Sequence, residues 1–362
     1  MKNSLILGIV ILSAGAGLAI FLRGQKFSDE LRQARETVGT QRGGLLLEKL
    51  ARTHPDHAEI QFLQARQLRL QGDRDRALVC CQRAADLGYP SDQVAREALL
   101  IKANQDFQRL EPDLQGLLDT NPDDQEVVLT LALGWSKLGN FSKAEALVNG
   151  ILQHDPENGA AHWIRGKIHM QKHQPHDARP DLEKAVRAGP DPYYYSRARY
   201  ELANCYLELG KFEDALELYR QYLADEPNNP RAFFGIGRCC WYLNQWNEAA
   251  EAFREVLRRQ PDHLDALSQL AYIYEEHGTP DDLSHAMELL QRAAQLDPKW
   301  YDLHFRMAKI LKALGQDQRA ADHYRRAEQV KKAWAKPRNS ASSARNPYAG
   351  DEPGTLRNPL DD

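Results

Sequence analysis

Apolar residues recur with a helical period along most of the chain, and short polar breaks interrupt them. Within 199–209 the apolar residues favour one side of a helix: they are Tyr200, Leu202, Ala203, Tyr206, Leu207 and Leu209. Gly210 and Lys211 break the pattern, and a second amphipathic stretch continues from Phe212 to Leu223. The pattern predicts antiparallel helix pairs joined by short turns, and therefore an all-α fold.

This helix-pair pattern repeats at a fixed interval. Prolines follow one another after 34, 34, 37, 34 and 37 residues, at Pro122, Pro156, Pro190, Pro227, Pro261 and Pro298. Small residues lie ten positions after each proline, at Ala132, Gly166, Ala203, Gly237, Ala271 and Ala308. A second set of small residues lies twelve positions further on, at Ala144, Ala178, Ala215, Ala249 and Ala320, with Ala286 displaced by an insertion. Helices approach closely only where side chains are small, so these positions predict the helix contacts of a repeat.

The stretch 196–229 resembles the tetratricopeptide repeat. It matches the pattern of that family at Leu202, Ala203, Tyr206, Gly210, Phe212, Ala215, Tyr219 and Pro227. In this register the units are 58–91, 125–158, 159–192, 196–229, 230–263, 264–300 and 301–334. The resemblance implies a right-handed superhelical solenoid of helix pairs, in which the first helix of each pair lines a concave face.

Two stretches depart from the repeat pattern. In 92–124, Glu97 stands at an expected large apolar position and Leu110 where an alanine is expected. In 24–57 only the second-helix signature Leu45–Leu50 and Pro55 are present. We interpret both as degenerate repeats. The predicted organisation is degenerate and divergent repeats over 24–124, of which 58–91 is the best formed, and a regular array over 125–334.

An uncharged segment precedes the repeats. The 19 residues from Ser4 to Leu22 would span about 30 Å as a helix, the thickness of the hydrocarbon layer. The sequence therefore predicts a single transmembrane anchor over 1–23. A cleavable signal is the alternative, because Ala14-Gly15-Ala16 has the small residues of a cleavage site. Basic residues cluster after the segment, and the positive-inside rule then places the repeats in the cytoplasm.

Charge and composition exclude other classes of function. The chain has 47 Lys and Arg against 51 Asp and Glu, so no broad basic field exists to bind nucleic acid. Four of the five cysteines form the adjacent pairs Cys80-Cys81 and Cys239-Cys240, a spacing that suits neither a disulfide framework nor a zinc site. Residues 335–362 contain four prolines and few large apolar side chains, which predicts a disordered C-terminal tail.

The sequence carries no motif of an active site. GxGxxG, GxxxxGK[ST], GxSxG and HExxH are all missing from it, so we expect no catalysis and no cofactor. The best metal candidates are His169 and His173, which are spaced i,i+4 and would share one face of a continuous helix. The alternative is that the histidines of 162–176 are ordinary buried or surface residues, since in the repeat register His162 and His169 face the packed core.

The resemblance also implies a partner-binding surface. In this family, positions 2, 5, 6, 9, 12 and 13 of each unit point into the concave face. From residue 159 onward these positions give Trp163, Lys167, Arg197, Tyr200, Asn204, Arg231, Phe234, Arg238, Trp241, Tyr242, Tyr272, Phe305, Arg306 and Lys309. Aromatic and arginine side chains dominate the binding free energy of many interfaces. The alternative is that some of the aromatics, above all Trp241 and Tyr242, pack between repeats.

The predicted function is a non-enzymatic scaffold that binds protein partners at a membrane. An extended or helical segment with an acidic residue and an apolar anchor fits an aromatic and basic groove. For a membrane-anchored protein, the resemblance implies the assembly of an envelope, secretion or polysaccharide complex. Two alternatives stay open: an accessory subunit that binds a metal or glycan through 162–176, and an exported repeat protein whose signal is cleaved.

Overall fold

The computed structural model describes residues 24–103, 105–187 and 194–334. Residue 334 is described by its backbone alone. Within these ranges the chain forms eighteen α-helices and no β-strand, which confirms the all-α prediction for the described residues. None of the helices described is both long enough and apolar enough to cross a bilayer. The predicted anchor at 1–23 and the predicted tail at 335–362 lie outside the described residues and stay predictions.

The helices follow one another with short connections. The first covers 24–37 and is α1. The others are α2 (Gln41–Thr53), α3 (Ala58–Gln71), α4 (Arg74–Asp86), α5 (Ser91–Ala103), α6 (Phe107–Thr120), α7 (Gln125–Lys137), α8 (Phe141–His154), α9 (Gly159–Gln171), α10 (Pro175–Arg187), α11 (Tyr195–Glu208), α12 (Phe212–Asp225), α13 (Pro230–Tyr242), α14 (Trp246–Arg259), α15 (Leu264–His277), α16 (Pro280–Leu296), α17 (Tyr301–Ala313) and α18 (Asp317–Trp334).

The first helix of every predicted unit begins within one residue of the unit boundary, for example at Gln125, Pro230 and Tyr301. Side-chain caps fix several of these starts. The Asn158 Oδ1 atom accepts a hydrogen bond of 3.0 Å from the Ala161 amide, and Asn229 caps α13 just before Pro230. Capping satisfies amides that have no partner within the helix, so these residues set where each pair begins.

One position ends the first helix in every regular unit. The fifteenth residue of the unit has a positive φ at Gly72, Gly139, His173, Gly210, Asn244, Gly278 and Gly315. A left-handed residue at this point ends the helix and turns the chain into the second helix. Five of the seven residues are glycine, which adopts this conformation without steric cost. His173 and Asn244 adopt it with a Cβ atom present.

The predicted small residues form the contacts inside the helix pairs. Ala132, Ala203, Ala215 and Ala249 have no exposed surface. A Cβ atom added to Gly237 would lie 2.5 Å from the Phe253 ring, so a larger residue there would collide with the facing helix. The insertion at 279–281 lengthens α16 by starting it a turn earlier, with Thr279 as its cap, and Ala286 stays fully buried.

The stretches interpreted as degenerate repeats also form helix pairs, α1 with α2 and α5 with α6. Glu97 is fully buried, although a carboxylate is costly at that place. Its Oε1 atom accepts a hydrogen bond of 2.5 Å from Arg69 Nε, and Arg69 also contacts Glu126 at 3.1 Å. Arg96 pairs with Asp124 and Glu126 at 2.6 and 3.1 Å. A network of ion pairs therefore replaces the apolar contact that the repeat pattern predicts.

The described residues form two compact units. Unit 1 contains the described residues up to Lys172 together with those of Pro180–Ala198. Unit 2 contains His173–Arg179 and the described residues from Arg199 onward. In unit 2 a core surrounds Tyr219 and Phe253, and a second core joins Leu290 to Leu303 and Met307. Each helix pair covers the apolar side of the next within its unit.

Candidate functional site

The fourteen predicted partner-binding residues fall into three groups by exposure. Exposed side chains are those of Arg197, Arg231, Tyr242, Phe305 and Lys309. Partly buried side chains are those of Lys167, Tyr200, Asn204 and Tyr272. Buried side chains are those of Trp163, Phe234, Arg238, Trp241 and Arg306. The structure therefore offers only part of the predicted set to a partner.

Trp163 and Phe234 belong to the core. Trp163 is 3% exposed and lies parallel to Tyr194, with ring centroids 6.4 Å apart. Phe234 is 4% exposed and packs on Phe253 and His263, at centroid distances of 5.6 and 4.9 Å. The predicted role of these two aromatics is corrected to packing, because their rings face neighbouring helices.

Arg306 joins two neighbouring repeats. Its guanidinium donates to Glu275 at 2.6 and 3.0 Å, and to the Ser268 hydroxyl and carbonyl at 2.8 and 3.1 Å. The side chain is buried, so the ion pair and the carbonyl contact offset the cost of burying the charge. The predicted binding role of Arg306 is corrected to a structural link between α15 and α17.

Trp241 and Tyr272 form an aromatic pair on the first helices α13 and α15. Their ring centroids are 4.7 Å apart, and Trp246 contacts the other side of Trp241 at 5.2 Å. Tyr242 stacks on Phe212 at 4.4 Å and stays exposed. Trp241 and Tyr242, for which packing between repeats is the alternative to binding, thus both contact aromatic rings inside unit 2. Tyr242 and Tyr272 also keep accessible surface.

Arg238 is the unusual member of the set. The side chain is 9% exposed. Its Nε atom is buried without a hydrogen-bond partner, and no hydrogen bond or ion pair joins its guanidinium to any residue that the structure describes. Burying the Nε–H donor without an acceptor is costly, while the terminal nitrogens of the guanidinium keep contact with solvent. An arginine without a partner in such a place is typical of a site that binds an anionic ligand.

Four other polar residues lie with Arg238 on α11, α12 and α13, and we call the five the Arg238 cluster. Its members are Tyr200, Asn204, Tyr219, Arg231 and Arg238. Tyr219 donates its phenol hydrogen to Asn204 Oδ1 at 2.5 Å, and the rings of Tyr200 and Tyr219 lie 5.9 Å apart. Arg231 is exposed and lies two helical turns before Arg238 on α13.

The electrostatics of the Arg238 cluster keep its phenols protonated. Burial raises the pKa of Tyr200 to about 12, with Glu201 adding to the rise and Arg231 opposing it. Burial also raises the pKa of Tyr219, while Arg238 opposes that rise. Glu201 is the nearest carboxylate on α11, and Asn204 Nδ2 contacts it at 3.5 Å. The cluster therefore combines two arginine cations with neutral phenol and amide groups.

A second basic group lies in unit 1. Burial lowers the pKa of Lys137, and repulsion by Lys167 and Arg197 lowers it further, which places three cations from three successive first helices near one another. Arg197 also lines a cavity of about 430 Å³ together with Arg69, Gln125 and Tyr194. Acidic residues line the same cavity, among them Glu126 and Glu157, so its walls have mixed charge.

Sequence reasoning missed two of these residues. Lys137 is position 13 of unit 125–158, which precedes the units to which the family positions are applied. Tyr219 lies on a second helix, where the family pattern treats it as a packing residue. Applying the position rule to the earlier unit would have found Lys137, whereas no sequence signal shows that the Tyr219 hydroxyl reaches Asn204.

The structure does not place the histidine candidates His169 and His173 on one continuous helix. Helix α9 ends at Gln171, and His173 follows with φ 56°, so the i,i+4 helical spacing to His169 is lost. His162 uses both ring nitrogens, toward Asp181 and the Pro156 carbonyl, each at 2.8 Å. Across the described residues no three His, Cys, Asp or Glu side chains are grouped to hold an ion. The expectation that His169 and His173 share one helix face is therefore corrected.

Four of the five cysteines are buried, and Cys80 is partly buried. Burial raises the pKa of Cys81 to about 11 and that of Cys239 to about 12. Burial likewise raises the pKa of Cys240. Thiolate is the nucleophilic form, so these side chains are poor nucleophiles near neutral pH.

Comparison with known proteins identifies the repeat. Family models of the tetratricopeptide repeat match residues 169–234 in one case, and residues 129–191 and 241–299 in another. These residues therefore carry tetratricopeptide repeats, as the sequence pattern predicts. The search of curated proteins finds no match.

One solved structure, with a TM-score above 0.5, shows a similar fold. The chain is similar to one in the crystal structure of the APC/C hetero-tetramer Cut9–Hcn1, with 14% identity, a TM-score of 0.58, and coverage of 79% of this chain and 56% of that one. It also matches MamA 41-end from Desulfovibrio magneticus RS-1, with 17% identity, a TM-score of 0.44 and coverage of 49% and 97%. It also matches YrrB, described as a TPR protein with an unusual peptide-binding site. The identity is 23%, the TM-score is 0.43, and the match covers 51% of this chain and 92% of that one.

Proposed function

We propose that the chain is a scaffold that binds a segment of a partner protein at the Arg238 cluster. Arg238 is the observation that carries this proposal. Arg238 is 9% exposed, its Nε atom is buried, and its guanidinium has no partner among the described residues. A carboxylate at the accessible terminal nitrogens would therefore gain a charge-assisted bond without displacing an existing ion pair. An Asp or Glu side chain of the partner supplies that carboxylate.

The neighbouring residues add area and selectivity. Tyr200 belongs to the cluster and Tyr272 contacts Trp241 on the same helix as Arg238; both are partly buried and keep some aromatic surface. Arg231 is exposed and offers a second cation on the same helix. Apolar contact with aromatics and one buried ionic contact are the elements of a small hot spot. The partner segment therefore carries an acidic residue with an apolar residue nearby.

Panning a random peptide library on the full chain tests the proposal. We expect the wild type to enrich peptides that contain Asp or Glu beside an apolar residue. Arg238→Met keeps the apolar stem of the side chain and removes its charge, and it should abolish that enrichment. Arg220→Met removes an exposed cation from α12 and serves as the matched control, which should enrich like the wild type.

Charge reversal on the same helix completes the test. Glu217→Lys changes an exposed residue of α12 and should leave peptide capture unchanged. Circular dichroism checks that each variant keeps its helicity. If Arg238→Met enriches the same peptides as the wild type, recognition uses another surface. A leading alternative would be the cavity of about 670 Å³ that Phe233, Ile236 and Glu251 line elsewhere in unit 2.

We also propose that the scaffold acts at a membrane, on the cytoplasmic side, as part of an assembled complex and without catalysis. The uncharged segment Ser4–Leu22 and the basic residues after it support this proposal. Sequencing the N-terminus of the mature protein separates an anchor from a cleaved signal. A mature chain that begins near residue 17 would contradict the anchor.

A further inference from the structure

The two cations of the Arg238 cluster have no carboxylate partner among the described residues. Arg238 has a buried Nε atom that no acceptor reaches, and Arg231 uses its backbone amide, toward Asn229 Oδ1 at 3.0 Å. No ion pair joins either guanidinium to a residue that the structure describes. A segment that supplies a carboxylate here would therefore compete with no existing ion pair.

The residues that follow α18 separate their charges along the sequence. Residues 335–345 contain three cations and no acid, a net charge of +3. Residues 346–362 contain four acids and one arginine, a net charge of −3. Leu360 directly precedes two of these acids, Asp361 and Asp362. The same chain thus contains an acidic stretch beside an apolar residue, the composition that the proposed function assigns to a partner segment.

This stretch can reach α13. Helices α13 and α18 belong to unit 2, and each helix from α13 to α18 packs on the next. Five packing steps of about 8–10 Å separate them by at most about 50 Å, and the length of α18 adds at most about 27 Å. Asp361 lies 27 residues after Trp334, so extended chain carries it up to about 90 Å. Asp351 lies 17 residues after Trp334 and reaches only about 60 Å.

We propose that residues 356–362, which we call the tail segment, occupy the Arg238 cluster of their own chain. A carboxylate of Asp361 or Asp362 contacts the Arg238 guanidinium, and Leu360 packs on the accessible aromatic surface beside it. This inference rests on the proposed function, because it uses the same site. A segment tethered in this way acts at an effective concentration of about 1 mM, so the chain covers its own site until a partner displaces the segment.

A nitroxide spin label at Thr355→Cys tests the contact in the full chain, without any added peptide. The chain without this cysteine serves as the labelling blank, since four native cysteines are buried and Cys80 is partly buried. We expect an immobilised component in the spectrum of the otherwise wild-type chain. Arg238→Met and the double variant Asp361→Asn/Asp362→Asn should each abolish that component.

Matched controls change charge at other places. Arg220→Met removes an exposed cation from α12, and Asp351→Asn/Glu352→Gln removes two acids that precede the tail segment. Both should keep the immobilised component. The spectrum should also stay the same on dilution, because the contact lies within one chain. Circular dichroism checks that Arg238→Met keeps its helicity.

A labelled peptide gives a second readout. The probe is a fluorescein-labelled peptide of residues 353–362 with an amidated end, and its binding is followed by anisotropy. If the tail segment has an affinity of about 0.1 mM, the probe should bind the Asp361→Asn/Asp362→Asn chain about tenfold more tightly than the wild type. It should not bind Arg238→Met.

The outcomes separate this inference from the proposed function. A label that is as mobile in the wild type as in Arg238→Met, or an immobilised component that disappears on dilution, would overturn occupation by the chain's own segment. Peptide capture at Arg238 would be unaffected by either result. An immobilised component, together with no library peptides enriched by Asp361→Asn/Asp362→Asn, would instead contradict partner binding and support the contact of the tail segment.

Discussion

His173 and Asn244 occupy a backbone conformation that five other repeats assign to glycine. For a residue with a Cβ atom, a left-handed φ costs about 1–2 kcal/mol, and the cost is highest for a β-branched or bulky residue. His173 ends the first helix of its unit, which explains why a histidine spaced i,i+4 from another fails to share its face. The same residue gives a prediction about stability.

His173→Gly should stabilise the fold by about 1 kcal/mol, because glycine relieves the left-handed strain at the end of α9. Gly210→Ala is the mirror control at the equivalent position of the next unit and should destabilise by a similar amount. Urea unfolding followed by circular dichroism measures both. Equal midpoints for wild type and His173→Gly would show that the imidazole makes compensating contacts.

The sequence located the candidate binding surface better than it located the contacts within it. A position rule places a residue on a helix face, and in the structure Arg238, Tyr200 and Asn204 each interact with Tyr219. Burial depends on which neighbour faces a side chain. Phe234 meets Phe253 on the second helix of its own repeat, and Arg306 meets Glu275 of the preceding repeat. A rule that assigns positions on first helices reports neither pairing.

At the scale of elements, ion pairs take over where the repeat pattern fails. Burial alone would raise the pKa of Glu126, but Arg69, Arg66 and Arg96 lower it to about 2. A carboxylate whose pKa falls on folding stabilises the protein above its unfolded pKa, and that stability is lost as pH falls through the folded value. The network in unit 1 should therefore weaken in acid.

Lowering the pH from 5 to 2 should cost the wild type up to about 3 kcal/mol more than Glu126→Gln, since each pKa unit corresponds to about 1.4 kcal/mol. The variant is less stable than the wild type at pH 7, and its free energy of unfolding falls less as the pH is lowered. Melting temperatures taken across this pH range compare the two chains. Parallel curves would mean that Glu126 titrates alike in the folded and unfolded states.

Arg306 gives the corresponding prediction in unit 2. Arg306→Ala leaves Glu275 and Ser268 without their buried donor, and removing one partner of a buried pair costs about 3–5 kcal/mol. Lys309→Ala on the same helix removes an exposed cation and should change stability by less than about 0.5 kcal/mol. Hydrogen exchange of the α15 and α17 amides measures the effect locally. Similar exchange in both variants would contradict the link.

At the scale of the whole molecule, the regular spacing of prolines and small residues made the fold predictable. Both signals act locally, since a turn ends a helix and a small residue admits its neighbour, and each is repeated six times. At Glu97 these local signals no longer predict the structure. Its burial depends on Arg69 in one repeat and, through Arg69, on Glu126 in another, so no single unit reports it.

A chain that ends at residue 300 should lose solubility or cooperative melting. Leu290 has no exposed surface in the full chain, because Leu303, Met307 and Leu311 of α17 belong to the same core. Deleting α17 and α18 uncovers this apolar side, and repeat arrays depend on such neighbours. Light scattering and thermal melting of the two chains make the comparison. An unchanged melting curve would count against stacking of the last pair.

The link between Arg306 and Glu275 also limits how this protein can change length. Repeat arrays gain and lose units by recombination, which is harmless when every junction is equivalent. Removing 264–300 would bring α17 against α13, where Trp241 and Phe234 stand at the positions of Glu275 and Ser268. Arg306 would then meet two aromatic rings in place of the Glu275 carboxylate and the Ser268 hydroxyl, and of its present acceptors only a backbone carbonyl would have an equivalent. The units share one sequence pattern, but the contacts of Arg306 depend on which repeat precedes it. The order of the repeats is therefore fixed in this part of the chain, and whole repeats cannot be exchanged there without loss of this link.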